Sequence, residues 1–259
     1  MSGKRLFFFD IDGTLIPADT YDLPSPAMRG ALAALRAEGH KTFLCTGRTL
    51  CDIPPELMET GFDGVVAGAG AYIQLDGACI LHRTIPLPLL RETVEQIFRC
   101  RVSCLLEGTY AMYYAGQGSR VLPWDLPRLT GAEDLTGEES IEKFTARVSI
   151  PEEFALLKAF LEQHYEIYAS DDGLFYEMAP KGWNKASAVR WLCGYCGVRL
   201  EDTVAFGDSR NDLLMLQTAG TGVAMGHAPE DVRRIAKFVT GSVEEDGIFS
   251  ALRCLGFVP

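Results

Sequence analysis

No apolar stretch in the sequence approaches the roughly 20 residues of a membrane-spanning helix. The opening MSGKRLFFFDID does not read as a signal peptide, because its apolar run is short and acid follows at once. A cytoplasmic protein with no membrane partner is the expectation. Basic residues are scarce beside acidic ones, 24 Lys and Arg against 35 Asp and Glu, for a net charge of −11. Such a chain repels phosphate backbones, which argues against nucleic acid as a partner. A small anionic substrate is still allowed if its site is locally positive. The 8 cysteines come without an export signal and are read as reduced thiols. Cys193 and Cys196 form a CGYC, but late in a predicted helix (184–197), whereas a redox pair normally opens one. There is no second CxxC and no nearby His pair to complete a zinc site. Helix packing is the expected role. Gly68 and Gly70 begin a dinucleotide-like pattern that lacks its third glycine and its following helix. No internal repeat or low-complexity tract is visible.

What is present is organised around RLFFFDIDGTL, Arg5 to Leu15. Leu6 to Phe9 run without a polar break, as in a strand buried on both faces of a parallel sheet. Asp10 follows at once, then Asp12, Gly13 and Thr14. A carboxylate at the end of a central strand is costly unless something compensates it. Two carboxylates two residues apart, closing on a glycine turn, offer hard oxygens suited to Mg²⁺. An ionised Asp beside a metal can also attack an electrophile covalently. A calcium loop is excluded, since the later ligand positions and the closing Glu are absent. An ordinary Asp-Gly turn is the plain alternative.

Beyond this turn the chain alternates strand and helix. Ser25-Pro26 predicts a helix ending at Gly39; KTFLCT is a strand ending on Thr46-Gly47-Arg48; a helix is expected over Leu50 to Thr60. A strand and a hairpin around Asp76-Gly77 follow. From about Arg83 the texture changes to αββ…βαββ with hairpins, one of them at Asp171-Asp172-Gly173. It returns to βα alternation at PKGWNKASAVRWL. The expected architecture is α/β: a Rossmann-like parallel-sheet core formed by residues 1–82 and 183–259, with an inserted α+β domain at 83–182. The insert carries 16 Asp and Glu against 10 Lys and Arg, which disfavours polyphosphorylated ligands. Tyr110, Tyr113, Tyr114 and Trp124 are available to stack on a sugar or ring, although packing is the commoner use.

Three predicted buried strands end in polar groups: Asp10 and Asp12, Thr46, and Asp208. Parallel strands point the same way, and ligands bind beyond their carboxyl ends. These groups can therefore meet, together with Lys185 at the start of the intervening helix. The set suits phosphoryl transfer. Mg²⁺ held by Asp10 and Asp208 would offset the charge that repels an attacking carboxylate. Lys185 and a hydroxyl would stabilise the equatorial oxygens. Asp12 is placed to protonate the leaving oxygen and later to deprotonate water. Lys181 is the rival lysine, but it follows Pro180 in a predicted hinge. Arg48 is placed either to touch substrate or to cap a helix.

These motifs resemble the haloacid dehalogenase (HAD) superfamily, specifically its Cof-like phosphatase branch, over nearly the whole chain. DIDGTL matches the first motif, with Asp10 in the nucleophile's place and Asp12 in that of the general acid/base. CTGRT matches the second, with Thr46 at the phosphate-binding position and Gly47 and Arg48 beside it. PKGWNKA resembles the third through Lys185. GDSRNDLLML matches the fourth, with Asp208 as metal ligand and Asn211 and Asp212 in supporting places. The resemblance also implies that the Asp12 backbone carbonyl is a metal ligand, that Mg²⁺ is the cofactor, and that the insert is a type IIB cap that selects the substrate. Ala69 and His227 stand where the branch often has Asn, and Ala186 replaces a common Gly; His227 is read as structural. The function implied is a phosphatase of small soluble phosphate monoesters acting through an aspartyl phosphate. A phosphomutase or phosphotransferase, a receiver domain and a phosphate-ligand binding protein are the alternatives. The Asp10/Asp12 pair and the large insert argue against a receiver domain.

Overall fold

Leu6–Phe9 forms strand β1, and all four side chains are buried. In the computed structural model, which describes residues 3–18, 20, 22–116, 126–170 and 172–259, this strand lies in the middle of an eight-stranded sheet. Trp124, Asp171 and the 117–125 part of the polar stretch lie outside the described residues. Helix α1, Pro26–Ala37, is capped by the Ser25 side chain, which accepts from the Met28 N–H. It leads to β2, Lys41–Cys45. The helix expected over Leu50 to Thr60 is instead a single turn at Leu50–Asp52 followed by the short α2, Pro55–Met58. Pro54 and Pro55 interrupt the backbone hydrogen bonding that a continuous helix would need. Strands β3 (Gly64–Ala67), β4 (Tyr72–Leu75) and β5 (Ala78–His82) complete the first stretch.

The chain then enters a second compact unit, which comprises residues 82–183 and the short segment 49–51. Helix α3 (Leu87–Cys100) precedes β6 (Cys104–Gly108), β7 (Met112–Ala115), β8 (Arg128–Leu129) and β9 (Ile141–Arg147). Helix α4 (Ala155–His164), β10 (Tyr165–Ala169) and β11 (Phe175–Pro180) finish it. Its sheet runs β10-β11-β9-β6-β7-β8 and is antiparallel except for the β7/β8 pair. Val94 and Ile97 of α3 and Leu157 and Leu161 of α4 share one core with Leu106, Phe144 and Met178 of the sheet. Two polar groupings are built into this unit. Lys143 Nζ lies 2.9 Å from Glu177 Oε1 and 3.4 Å from Glu107 Oε2. Thr109 Oγ1 donates to Glu142 Oε1 at 2.5 Å and stands 2.7 Å from His82 Nε2.

The remaining elements return to the first unit: α5 (Lys185–Cys196), β12 (Thr203–Gly207), α6 (Leu213–Thr218), β13 (Thr221–Ala224), α7 (Glu230–Ile235), β14 (Phe238–Val239) and α8 (Gly247–Cys254). The sheet order is β14-β13-β12-β1-β2-β3-β4-β5. Strands β14 to β3 are parallel, and β4 turns back antiparallel to β3. The fold is the expected α/β class, and the hairpin expected around Asp76-Gly77 is β4 and β5 at the edge of the sheet. Phe8 pairs with Phe43 of β2 and Ala205 of β12, and its ring stacks on Phe43 with centroids 5.4 Å apart. Phe9 stacks on Phe206 at 4.9 Å. Each such ring removed from water contributes roughly 1.5–3 kcal/mol, so the three strands that carry the polar ends are among the most firmly held parts of the sheet. Among the described residues no helix is long and apolar enough to cross a membrane. All eight cysteines are free thiols. Cys193 is buried in α5, and burial pushes its thiol up to about 11, away from the reactive thiolate.

Candidate active site

Strands β12, β1 and β2 are neighbours, so their carboxyl ends deliver Asp208, Asp10 and Thr46 to one edge of the sheet. Asp10 is 4% exposed, and its N–H still continues the ladder by donating to Phe206 O at 3.1 Å. The chain then turns sharply through Gly13, whose φ of 76° is in the left-handed region. A Cβ there would lie 2.5 Å from Asp208 Oδ2, so glycine is required on two counts. Thr14, which sequence reasoning left without a role, donates its hydroxyl to Asp208 Oδ1 at 2.7 Å. Its place directly after the glycine turn was the available signal.

Helix α5 brings the lysine. Asn184 caps it through a reciprocal pair with Ser187, and Gly197 closes it in a left-handed conformation. The Gly68–Gly70 turn packs against the helix start. A Cβ on Gly70 would meet Asn184 O at 2.6 Å, so the glycine serves close packing of this turn on the chain. Ala69, beside it, adopts φ 53°, a conformation that Asn tolerates better than Ala. Lys185 is 1% exposed, and its Nζ lies 2.5 Å from Asp10 Oδ1, 2.7 Å from Asp212 Oδ1 and 3.4 Å from Asn211 Oδ1. Lys181, the rival, is exposed in the turn after β11.

Asp212 is fully buried and acts as an anchor. Its Oδ2 accepts from the N–H groups of Asp208 at 3.2 Å and Ser209 at 3.1 Å, and its Oδ1 is taken by Lys185. Asn211 Oδ1 also accepts from the Ser209 hydroxyl at 2.7 Å. His227 Nε2 stands 3.8 Å from Asp208 Oδ2. Asp12 takes a different direction. Arg48 grips both of its carboxylate oxygens, Nε to Oδ2 at 2.9 Å and Nη2 to Oδ1 at 2.5 Å. The Arg48 N–H in turn donates to Thr46 Oγ1 at 3.1 Å, across Gly47.

Electrostatics explains what this cluster can hold. Burial works against a charged lysine, but Asp10 and Asp212 overcome it and hold Lys185 well above the ordinary lysine range. Burial first, and then the charges of Asp212 and Asp208, push Asp10 well above the usual carboxylate range despite Lys185. Asp208 is raised by burial and by Asp212. Three carboxylates therefore share one ammonium, an arrangement short of positive charge. Oxygens of Asp10, Asp208 and Asp212 all lie within 4.8 Å of one another. Asp212 has its oxygens engaged, whereas Asp10 Oδ2 and Asp208 Oδ2 receive no hydrogen bond among the described residues. An all-oxygen, negatively charged set with two open carboxylate oxygens fits a hard divalent cation. The Asp12 side chain is not part of this set, because Arg48 holds it, and Asp212 stands inside it.

Comparison with known proteins agrees with this geometry. Residues 7–252 match the haloacid dehalogenase-like hydrolase family. YkrA of Bacillus subtilis (strain 168) is 30% identical over 267 residues, 98% of this chain and 99% of that protein. The pyridoxal phosphate phosphatase YbhA of Escherichia coli (strain K12) is 29% identical over 263 residues, 94% of this chain and 96% of that protein. The solved structure of BT4131, a HAD subclass IIB sugar phosphatase, superposes with a TM-score of 0.81 at 27% identity, covering 98% of this chain and all of that one. The strand-end carboxylates, the lysine of α5 and a match over almost the whole length lead to one conclusion: the chain belongs to the haloacid dehalogenase-like hydrolases, as an enzyme of the Cof-like phosphatase branch.

Proposed function

We propose that the protein is a cytoplasmic, Mg²⁺-dependent phosphatase of small soluble phosphate monoesters, in the class of sugar phosphates, nucleotides and cofactor phosphates, working through an aspartyl phosphate on Asp10. The observation that carries this reading is the buried cluster of Asp10, Asp208 and Asp212 around the single ammonium of Lys185. The activities named for YbhA and BT4131, on pyridoxal phosphate and on sugar phosphates, support the substrate class.

Asp10 and Asp208 would hold the metal through their open oxygens, with the Asp12 carbonyl as the family resemblance implies. The metal would supply charge compensation on the phosphoryl group. Asp10 attacks phosphorus through a carboxylate oxygen, forming an O–P bond while the ester O–P bond breaks. Lys185, hydrogen-bonded to Asp10 Oδ1, keeps that carboxylate from rotating away and places a positive charge beside the oxygens of the phosphoryl group under attack. Asp12 gives a proton to the leaving ester oxygen, then takes one from the water that attacks the aspartyl phosphate, returning Asp10 and releasing phosphate. Arg48 engages both oxygens of Asp12, and each oxygen keeps a second lone pair for the proton that is transferred. Thr46 offers its hydroxyl to a phosphate oxygen, and Asn211 steadies the lysine. The insert, residues 83–182, acts as the cap that selects the leaving group.

Turnover of p-nitrophenyl phosphate, with Mg²⁺ and then with excess EDTA, tests the reading. Mg²⁺-dependent release of phosphate, lost in Asp10→Asn with the fold intact, is expected. Full activity in EDTA, or a phosphoenzyme trapped on another residue, would refute it. Transfer of the phosphoryl group to a sugar acceptor in preference to water would favour a phosphotransferase.

A further inference from the structure

A cavity of about 410 Å³ opens in the first unit between the segment that follows the catalytic turn and the start of α8. Its apolar walls are formed by Leu15, Ile16, Met28, Ile248 and Phe249, among others. Asp22, Glu244 and Asp246 also line it, and among the described residues no Lys, Arg or His does. Asp22 and Asp246 form no ion pair with a basic side chain among the described residues. Leu23, at 45% exposure, is an apolar side chain left facing water in the same lining. Thr14, which donates to Asp208, lines the cavity as well, while Asp10, Asp12, Thr46, Lys185 and Asp208 itself are absent from the lining. The volume lies within the range of small-molecule sites, roughly 300–1,000 Å³. Beside an apolar wall, Asp22 and Asp246, which have no basic partner among the described residues, disfavour an anion such as the phosphate ester itself; Glu244, which interacts with His227, adds less. They are complementary to a molecule with an apolar body and one positive charge.

We propose that this cavity binds a small organic cation, an ammonium group carried on an apolar body, at a place separate from the catalytic carboxylates. The ammonium faces Asp22, Glu244 and Asp246, and the body covers the Ile16, Met28 and Ile248 wall. Both halves contribute. Neither a bare charge nor a neutral body of the same shape should occupy the site well.

The test uses the full-length protein and four probes: 2-phenylethylammonium, the neutral 2-phenylethanol, the anionic 3-phenylpropanoate, and methylammonium. Binding is followed by calorimetry and by the methyl resonances of Ile16 and Ile248. The expected result is saturable binding of 2-phenylethylammonium with shifts at both methyl groups. The neutral and anionic probes and methylammonium should bind at least about tenfold more weakly, a difference of about 1.4 kcal/mol. Asp22→Asn with Asp246→Asn should weaken 2-phenylethylammonium by a similar factor and leave the thermal midpoint in place, as both residues lie at the surface of the unit. Equal binding of the alcohol and the ammonium, equal binding of methylammonium, or no methyl shift up to tens of millimolar would overturn the proposal. Phosphatase activity is not a readout here, so the outcome is independent of the reaction proposed above.

Discussion

Glu142→Gln should remove a pH dependence of stability that one buried carboxyl imposes on the second unit. Glu142 is fully buried in β9; its Oε1 accepts from Thr109 Oγ1, and its Oε2 has no hydrogen-bond partner. Burial raises its pKa from the ordinary 4.5 to about 7, only partly offset by Thr109 and by the charge of Lys143. The sign follows from linkage. The folded protein holds this proton more tightly than the unfolded chain, so stability is greatest below 4.5 and falls as pH rises toward 7. At about 1.36 kcal/mol per pKa unit, the full loss above the window is about 3 kcal/mol. Between about pH 5 and pH 8 the change is 2 to 3 kcal/mol. His82, which stands against the same Thr109, has its pKa lowered by burial and acts in the opposite sense, costing stability as pH falls. Because His82 Nε2 also lies 3.4 Å from Glu142 Oε1, the comparison is made in a His82→Gln background, which removes that titration from both proteins. Urea unfolding followed by far-ultraviolet circular dichroism supplies the free energies. Gln keeps the acceptor for Thr109 but buries an unpartnered amide, which costs about 1–3 kcal/mol at every pH. The diagnostic is therefore the slope: the variant's stability should decline less between the two pH values by 2 to 3 kcal/mol. Parallel curves would mean that Glu142 ionises without penalty, and the argument from its burial would fail.

Lys185→Met removes the one ammonium shared by the buried Asp10 and Asp212 and the half-buried Asp208. It should destabilise the first unit by about 3–5 kcal/mol in urea unfolding without added metal and abolish turnover; a stable, active variant would contradict its place in the cluster. Gly13→Ala must push a Cβ into Asp208 at a left-handed φ, so Mg²⁺ should be needed at much higher concentration for half-maximal activity. An unchanged metal requirement would show that the turn can yield. Asp12→Ala should lower kcat/KM by about 10²–10⁴ for alkyl phosphates and far less for p-nitrophenyl phosphate, whose leaving group needs little protonation. Equal losses on both would remove Asp12 from the proton-transfer role. Thr14→Val, which deletes the hydrogen bond to Asp208 Oδ1, should weaken Mg²⁺ dependence less than Gly13→Ala does, read from the same metal titrations.

Much of this protein is legible in its sequence, because its strongest signals are local. An unbroken run such as Leu6 to Phe9, bounded by an Asp-Gly turn, reads as a strand buried on both faces, with the next residue at the strand end. Ser25 before Pro26, and Asn184 with Gly197, mark helix ends through short-range hydrogen bonds and backbone sterics. The change of texture near Arg83 is likewise a matter of nearest-neighbour pattern. Long-range pairing was not legible in this way. That Lys185 engages Asp212 from 27 positions away, that Thr14 reaches Asp208 across 194, and that Arg48 grips Asp12 across 36 each depend on side chains meeting through the fold. The same holds for Glu142, whose neighbours in sequence say nothing of the burial that raises its pKa, and for the cavity whose walls come from both ends of the chain. Sequence by itself determined the strand ends, the helix caps and the kinds of chemical group available, because those follow from periodicity and local geometry. Tertiary structure alone decided which charges share a site and which oxygens remain open, because burial and Coulomb interaction act through space and not along the chain.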